Sequence, residues 1–293
     1  MSVRRKSNWY IYAVTFAITL ALALVAIFTF RQYLFPTGTT SVGLNNRGEP
    51  DENFKPTAEH NASIMLMFSD NAEDSPELFV LAEYSAVENR LAFIPIPGGI
   101  SVASESRNLT NIYTAQGGNG VINAINNILG VKCDTYVKMD RKGFINFVTG
   151  FGSVEYDIAK TIVIRDGIES EILNAGSQNL TAESIFRLAM CADFEEGEAY
   201  RFNVVGGLLS DLVNQNFRNI DSTLMDIFYR SFNEISENNL SEQKYMAHKA
   251  ALLYTVAYGS YPAEYYVPYG EYTEDSGFII SENSITTIRQ KAE

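Results

Sequence analysis

The sequence predicts a mixed α/β domain, with a mixed sheet sandwiched by helices, preceded by one N-terminal transmembrane helix. Three observations predict it. A charge-free apolar run lies near the N-terminus, short strand-like apolar runs recur beyond it, and amphipathic helical spacings are interleaved with those runs.

Residues 11–30 carry no charge. Twenty residues at a rise of ~1.5 Å make a helix of ~30 Å, the thickness of a bilayer's hydrocarbon core. Trp9, Tyr10 and Tyr12 at one end and Tyr33 at the other suit the membrane interfaces. Arg4, Arg5 and Lys6 precede the run and Arg31 alone follows it, so the positive-inside bias places residues 1–10 in the cytoplasm and the remainder outside. A cleaved signal peptide is the rival. It would have a shorter apolar core and small residues at a cleavage site, whereas this run is long and ends in Phe28 and Phe30. An uncleaved signal anchor over 11–33 is expected. Residues 34–61, rich in Pro, Thr, Gly and Asn, read as a linker, and 62–293 as one domain.

Within that domain, 63–68 is an apolar strand, and 78–84 and 91–96 form a hairpin about the turn at 87–90. Gly117 and Gly118 precede a helix with Val121, Ile122, Ile125, Ile128 and Leu129 on one face, ended by Gly130. A strand follows at 135–139. Phe144, Phe147, Val148 and Phe151 have helical spacing, and Val154, Tyr156 and Ile158 alternate as in a strand. Thr181 caps a helix with Glu183 in its first turn. Helices are expected over 199–216 and 222–235, with a third capped by Ser241. Strands at 265–267 and 278–280 and a short terminal helix close the chain. There is no internal repeat.

The formal net charge is −13. Nucleic acid is excluded as a partner, since phosphate backbones demand clustered Lys and Arg. Cys133 and Cys191 make no disulfide framework; they read as small buried hydrophobes, with one bridge in an oxidising compartment as the alternative. His60, in the linker, and His248, on a helix, have no second ligand at metal spacing and read as surface histidines. No Walker A loop or dinucleotide fingerprint is present. Two acidic stretches stand out: Asp70, Glu73, Asp74 and Glu77, and Asp193, Glu195, Glu196 and Glu198. Brought to one end of the sheet, they could hold Mg²⁺ or Ca²⁺, with Asp70 and Glu77 the nominated ligands; left apart, they are solvated loops. An apolar tail pocket could use the many aromatic residues, but ordinary core is the simpler use of them.

In order and spacing, the segments after the anchor resemble the LytR–CpsA–Psr (LCP) family of cell-envelope proteins. The family's Gly-Ser-Asp after its first strand is similar to Phe68-Ser69-Asp70. Its Ser-Ile-Pro-Arg-Asp is met by Pro95-Ile96-Pro97-Gly98-Gly99. Its Lys-Ile-Asn…Gly-Gly resembles Leu109-Thr110-Asn111…Gly117-Gly118, and its Leu-Gly-Ile…Tyr-Val resembles Leu129-Gly130-Val131…Tyr136-Val137. Its Gly-Phe and Gly-Gly-Val-Glu-Val-Asp are similar to Gly143-Phe144 and Gly152-Ser153-Val154-Glu155-Tyr156-Asp157. Its Leu-Asn-Gly-Glu-x-Ala is similar to Leu180-Thr181-Ala182-Glu183-Ser184-Ile185.

The resemblance implies an extracytoplasmic role with a polyprenyl-phosphate lipid, a wall glycopolymer or peptidoglycan as partner. Active members move a glycopolymer from a polyprenyl-pyrophosphate carrier to peptidoglycan, assisted by Mg²⁺ and by arginines that hold the diphosphate. Guanidinium forks bind phosphate oxygens bidentately and neutralise the charge that develops as the phosphoryl bond breaks. This sequence departs from the family at those arginines. The Arg-Asp after the hairpin is Gly98-Gly99, the arginine after Asp70 falls at Ala72, the next Arg-x-Asp at Ser75-Pro76-Glu77, and the Arg-x-Arg near Met190 and Ala192. Ser69, Asp70, Asn111 and Arg201 are retained as ligand-binding positions, and Asp70 and Arg201 are the retained motif positions closest to catalysis. Arg107, Arg165 and Arg187 are candidate substitutes. One charge pair at ~4 Å and an effective dielectric near 20 is worth about 4 kcal/mol before desolvation. Loss of several therefore predicts a degenerate, non-catalytic member that binds a polyprenyl-linked intermediate, a wall polymer or an assembly partner. The alternatives are an active glycopolymer–peptidoglycan phosphotransferase with a rearranged site and a cation-dependent adhesion or sensor module.

Overall fold

Strand alternation decides the layers. β1 (Ala62–Phe68) sends Met65 and Met67 to one face of a sheet and Ile64, Leu66 and Phe68 to the other. β2 (Leu78–Ser85) is buried throughout and splits likewise, with Phe79 and Leu81 against Leu78, Val80 and Ala82. β2 runs antiparallel to β1 and to β3 (Arg90–Ile96), with Met65 opposite Leu81 and Leu81 opposite Ile94. β4 (Thr135–Met139) lies parallel to β1 on its other side. The two-residue β9 (Glu237–Asn238) covers β4, and β10 (Ala263–Tyr265) lies parallel to β3 at the opposite edge, giving the mixed order β10-β3-β2-β1-β4-β9. The computed structural model describes residues 44, 50–51, 53–100, 108–166, 169–190, 194–195, 197–235, 237–273 and 277–292, with backbone alone at 165, 166, 169, 170 and 235. The span expected at 11–33 lies outside them, and no helix among the described residues is long and apolar enough to cross a membrane.

Helices cover both faces. On one lie α1 (Leu109–Leu129), through Ile112, Val121, Ile125 and Leu129, and the terminal α7 (Glu282–Ala292), through Ile285 and Ile288. On the other lie α2 (Arg141–Phe151), α3 (Ala182–Met190) and α4 (Glu198–Asn216), whose Phe144, Val148, Phe186, Val205, Leu208 and Leu212 meet Phe68, Val80 and Met139. α5 (Ser222–Ile235) stacks Phe228 on Phe151 of α2, and α6 (Glu242–Tyr258) packs against α5.

Several boundaries differ from expectation. α1 begins at Leu109, well before the glycine pair, because the Asn108 side chain caps it by accepting the Asn111 N–H at 2.8 Å. Gly117, at φ +67°, kinks the helix where a start was expected, while Gly118 lies against the Tyr136 ring. β5 (Val154–Ile158) returns as β8 (Gly176–Leu180), with β6 (Ile162–Asp166) and β7 (Glu169–Leu173) nested between them as a second two-stranded ribbon. The predicted strand at 265–267 lies at Ala263–Tyr265, and β12 (Gly277–Ile280) pairs with an unforeseen β11 (Gly270–Thr273). Part of the expected linker packs on the domain: the Phe54 ring meets His60 and Tyr254, and the His60 carbonyl lies 3.0 Å from His248 Nδ1.

A buried carboxyl sits inside the α1 layer. Glu83, 3% exposed, accepts the Ser63 hydroxyl at 2.7 Å, and burial pushes its carboxyl up to about 7. Nearby Cys133 is buried, and desolvation raises its thiol to about 11; Cys191 lies outside the described residues.

Candidate functional site

Two neighbouring parallel strands, β1 and β4, end on one side of the sheet, and their exits are stitched together. The Ser69 N–H donates to the Met139 carbonyl at 3.1 Å and the Arg141 N–H to the Asp70 carbonyl at 3.2 Å. Ser69 is fully buried and its hydroxyl donates to the Asn71 carbonyl at 2.7 Å, which turns the chain so that Asp70 is exposed. Asp140 caps α2 by accepting the Gly143 N–H at 2.7 Å. An open cleft of about 400 Å³ results, lined by Asp70, Asn71, Ala72, Asp140, Arg141, Lys142, Ile145 and Asn146. Crevices at strand carboxyl ends are the usual ligand sites of open α/β sheets.

Arg141 organises this cleft, and sequence reasoning missed it. Its guanidinium bonds Glu183 at the start of α3, with Nε at 3.1 Å from the carboxylate, lies 3.6 Å from Asp70 Oδ1, and sits over the Phe186 ring at 5.7 Å. It thus ties β1, α2 and α3 together. The available signal was electrostatic. Arg141 and Lys142 both stand in the first turn of a helix, where the dipole disfavours cations, and Arg141 is the one that carboxylates hold there.

The retained motif positions separate. Asp70 faces Arg141 in the cleft. Asn111 is exposed at the start of α1, which reaches the 69–77 loop through Thr110, whose hydroxyl donates to the Pro76 carbonyl at 3.0 Å. Glu77 is exposed, its N–H returning to the Phe68 carbonyl. Among the described residues no three His, Cys, Asp or Glu side chains gather into a group that could hold a metal ion. Arg201 sends Nε and Nη2 to the Ala189 carbonyl at 3.1 and 3.0 Å, so it serves the end of α3. Of the candidate substitutes, Arg187 pairs with Glu171 at 2.9 Å; Arg107 and the Arg165 side chain lie outside the described residues, as does Asp193. Lys138, buried on the α1 side, donates to the Ala72 carbonyl at 2.5 Å beneath the Tyr113 ring.

Gly98 and Gly99, in the turn after β3, have ordinary backbone: neither has a positive φ, and a Cβ would meet only Phe79 and Thr110 at 3.6 Å or more, or nothing. No steric need fixes glycine there. Behind the cleft, between the sheet and α2, α3 and α4, lies an apolar slot walled by Phe68, Phe144, Ile185, Phe186, Met190 and Leu208. Its volume is about 10 Å³, room for roughly one water and far below a prenyl unit.

The fold is shared with several solved structures. A proposed transcription regulator from Eubacterium siraeum superposes with a TM-score of 0.76 at 19% identity, covering 84% of this chain and 95% of that one. B. subtilis TagV gives 0.64 at 14%, covering 80% and 97%. TagT bound to LIIa-WTA gives 0.61 at 15%, covering 85% and 97%. No curated protein matches the chain by sequence. The LytR_cpsA_psr family model matches residues 42–216, well over half of the sequence, and the chain belongs to that family, whose members work in cell-envelope glycopolymer assembly.

Proposed function

We propose that this chain is a non-catalytic LCP protein, anchored by residues 11–33 with its domain outside the membrane. It binds wall glycopolymer, free or still lipid-linked, or another assembly protein, without transferring it. The observation that carries the reading is the state of the cations at the sheet end. Arg141 is held between Asp70 and Glu183, Arg201 is committed to a helix-end carbonyl, and the turn after β3 carries Gly98-Gly99. A diphosphate entering the cleft meets Arg141 and Lys142 among Asp70, Asp140 and Glu183, and must displace carboxylates already paired. The narrow apolar slot supports the same reading, since it offers a carrier tail no room.

The test is transfer of labelled, lipid-linked glycopolymer to peptidoglycan by the full-length protein, with an active family member alongside. No product is expected; robust transfer removes the proposal. One observation favours a second reading, a transferase with a rearranged site: Arg141, Lys142 and Asp70 do line an open cleft. Under that reading Asp70→Asn and Arg201→Ala abolish whatever transfer is measured, and transfer indifferent to both eliminates it.

A further inference from the structure

A second polar site lies away from the cleft, where α4 meets β5 and β10. Gly206 and Gly207 are buried in the middle of α4. A Cβ on Gly206 would stand 2.7 Å from the Tyr265 ring, and one on Gly207 would stand 3.1 Å from the Tyr156 hydroxyl. The two glycines therefore form a floor on which tyrosines from two different strands rest. Tyr200, Gly207 and Asp211 recur at i, i+7 and i+11, which places them along one stripe of the helix. Tyr156 feels the charge of Asp211 and neighbours Tyr265 and Tyr200 electrostatically, whereas Asp157, next to it in β5, points to the other face of the strand.

Their hydrogen-bonding capacity is unspent. Asp211 is half-buried and has no hydrogen-bond or ion-pair partner among the described residues, and burial raises its pKa. The hydroxyls of Tyr156, Tyr200 and Tyr265 have no hydrogen-bond partner among the described residues either. One turn along from Gly206, Ser210 is 5% exposed and its hydroxyl is unpartnered among the described residues. Buried polar atoms are ordinarily satisfied, and a partly desolvated carboxylate without a cation is costly, so both call for a partner. Tyr265 is 42% exposed.

We propose that this α4–β5–β10 surface is a binding site for a neutral sugar. The apolar face of a pyranose ring stacks on an exposed tyrosine, and its hydroxyls donate to a carboxylate and bridge phenols. The Asp211 carboxylate turns away a polyanionic polymer. The site does not rest on the reading of the sheet-end cleft, and either can fail without the other.

The test is saturation-transfer NMR on the full-length protein in detergent, with neutral gluco-, galacto- and N-acetylgluco-oligosaccharides as probes and poly(glycerol phosphate) as the anionic comparison. At least one neutral oligosaccharide is expected to bind at millimolar concentration, with affinity falling about tenfold or more in Asp211→Ala, as expected for a lost hydrogen bond to a charged group. Asp211 has no partner to lose, so that variant keeps its thermal midpoint; Tyr265→Leu, which keeps bulk over Gly206, is the second variant. No binding by any neutral probe, binding indifferent to both variants, or binding of poly(glycerol phosphate) alone would overturn the proposal.

Discussion

Arg141 and Glu83 are the two side chains whose environments make quantitative claims. Arg141 spans three elements but is about one-third exposed, so its ion pairs are screened. Arg141→Ala is expected to lower unfolding stability by about 1 kcal/mol or less, measured by urea titration. A much larger loss would mean that the guanidinium carries packing as well as charge. Glu83 is different. Its folded carboxyl titrates near 7 against an ordinary 4.5, so between those values the folded state holds a proton that the unfolded chain has released. Stability is therefore fullest below pH 4.5 and falls as pH rises through 7, by about 3 kcal/mol at 1.36 kcal/mol per pK unit. Glu83→Gln should raise the denaturation midpoint at pH 8 and leave it nearly unchanged at pH 4. An equal effect at both pH values would place the cause elsewhere. Neither residue was picked out in the sequence. Arg141 looks like ordinary helix surface until Asp70 and Glu183, far apart in the chain, are folded against it. Glu83 sits in a strand whose other residues already read as core.

At the scale of elements, β1 to β4 were legible because their apolar residues fill both faces of a covered sheet. Strands β6, β7 and β8 were not. β8 is Gly-Ser-Gln-Asn-Leu, largely exposed, and becomes a strand only by pairing with β5 across the excursion. α1 was half legible: the glycine pair marked a real break, which kinks the helix instead of starting it. The Asn108 cap and the apolar positions Leu109 and Ile112 were the overlooked start signals. The kink lets Gly118 approach Tyr136, whose ring atoms would lie 2.4 Å from an added Cβ. Gly118→Ala should thus destabilise by about 1–3 kcal/mol through overpacking. Chemical denaturation checks this, and Gly118→Ala combined with Tyr136→Leu should recover part of the loss if the contact is the cause.

Across the whole molecule, scaffold and site carry different constraints. The strands and the helices of both layers were legible enough in the sequence for the segment order to be read, and the family model matches residues 42–216. At the sheet end, the proposed reading requires that side chains differ from the family pattern on a backbone that would accept them. Gly98 and Gly99 show this best, because their geometry accepts side chains. The double variant Gly98→Arg, Gly99→Asp should fold with stability within about 0.5 kcal/mol of the parent, since surface substitutions without strain cost little. A marked loss would indicate a backbone reason for the glycines. What the sequence could not convey was how the remaining cations are spent, because the commitment of Arg201 to the Ala189 carbonyl and of Arg141 to Glu183 depends on tertiary placement. The measurement that bears most directly on the central claim is calorimetric titration of a short-chain prenyl diphosphate into the full-length protein, with TagT in parallel. With two or more charge-assisted hydrogen bonds missing, affinity about a hundredfold or more below that of TagT is expected. Affinity equal to that of TagT, lost on Arg141→Ala, would contradict it.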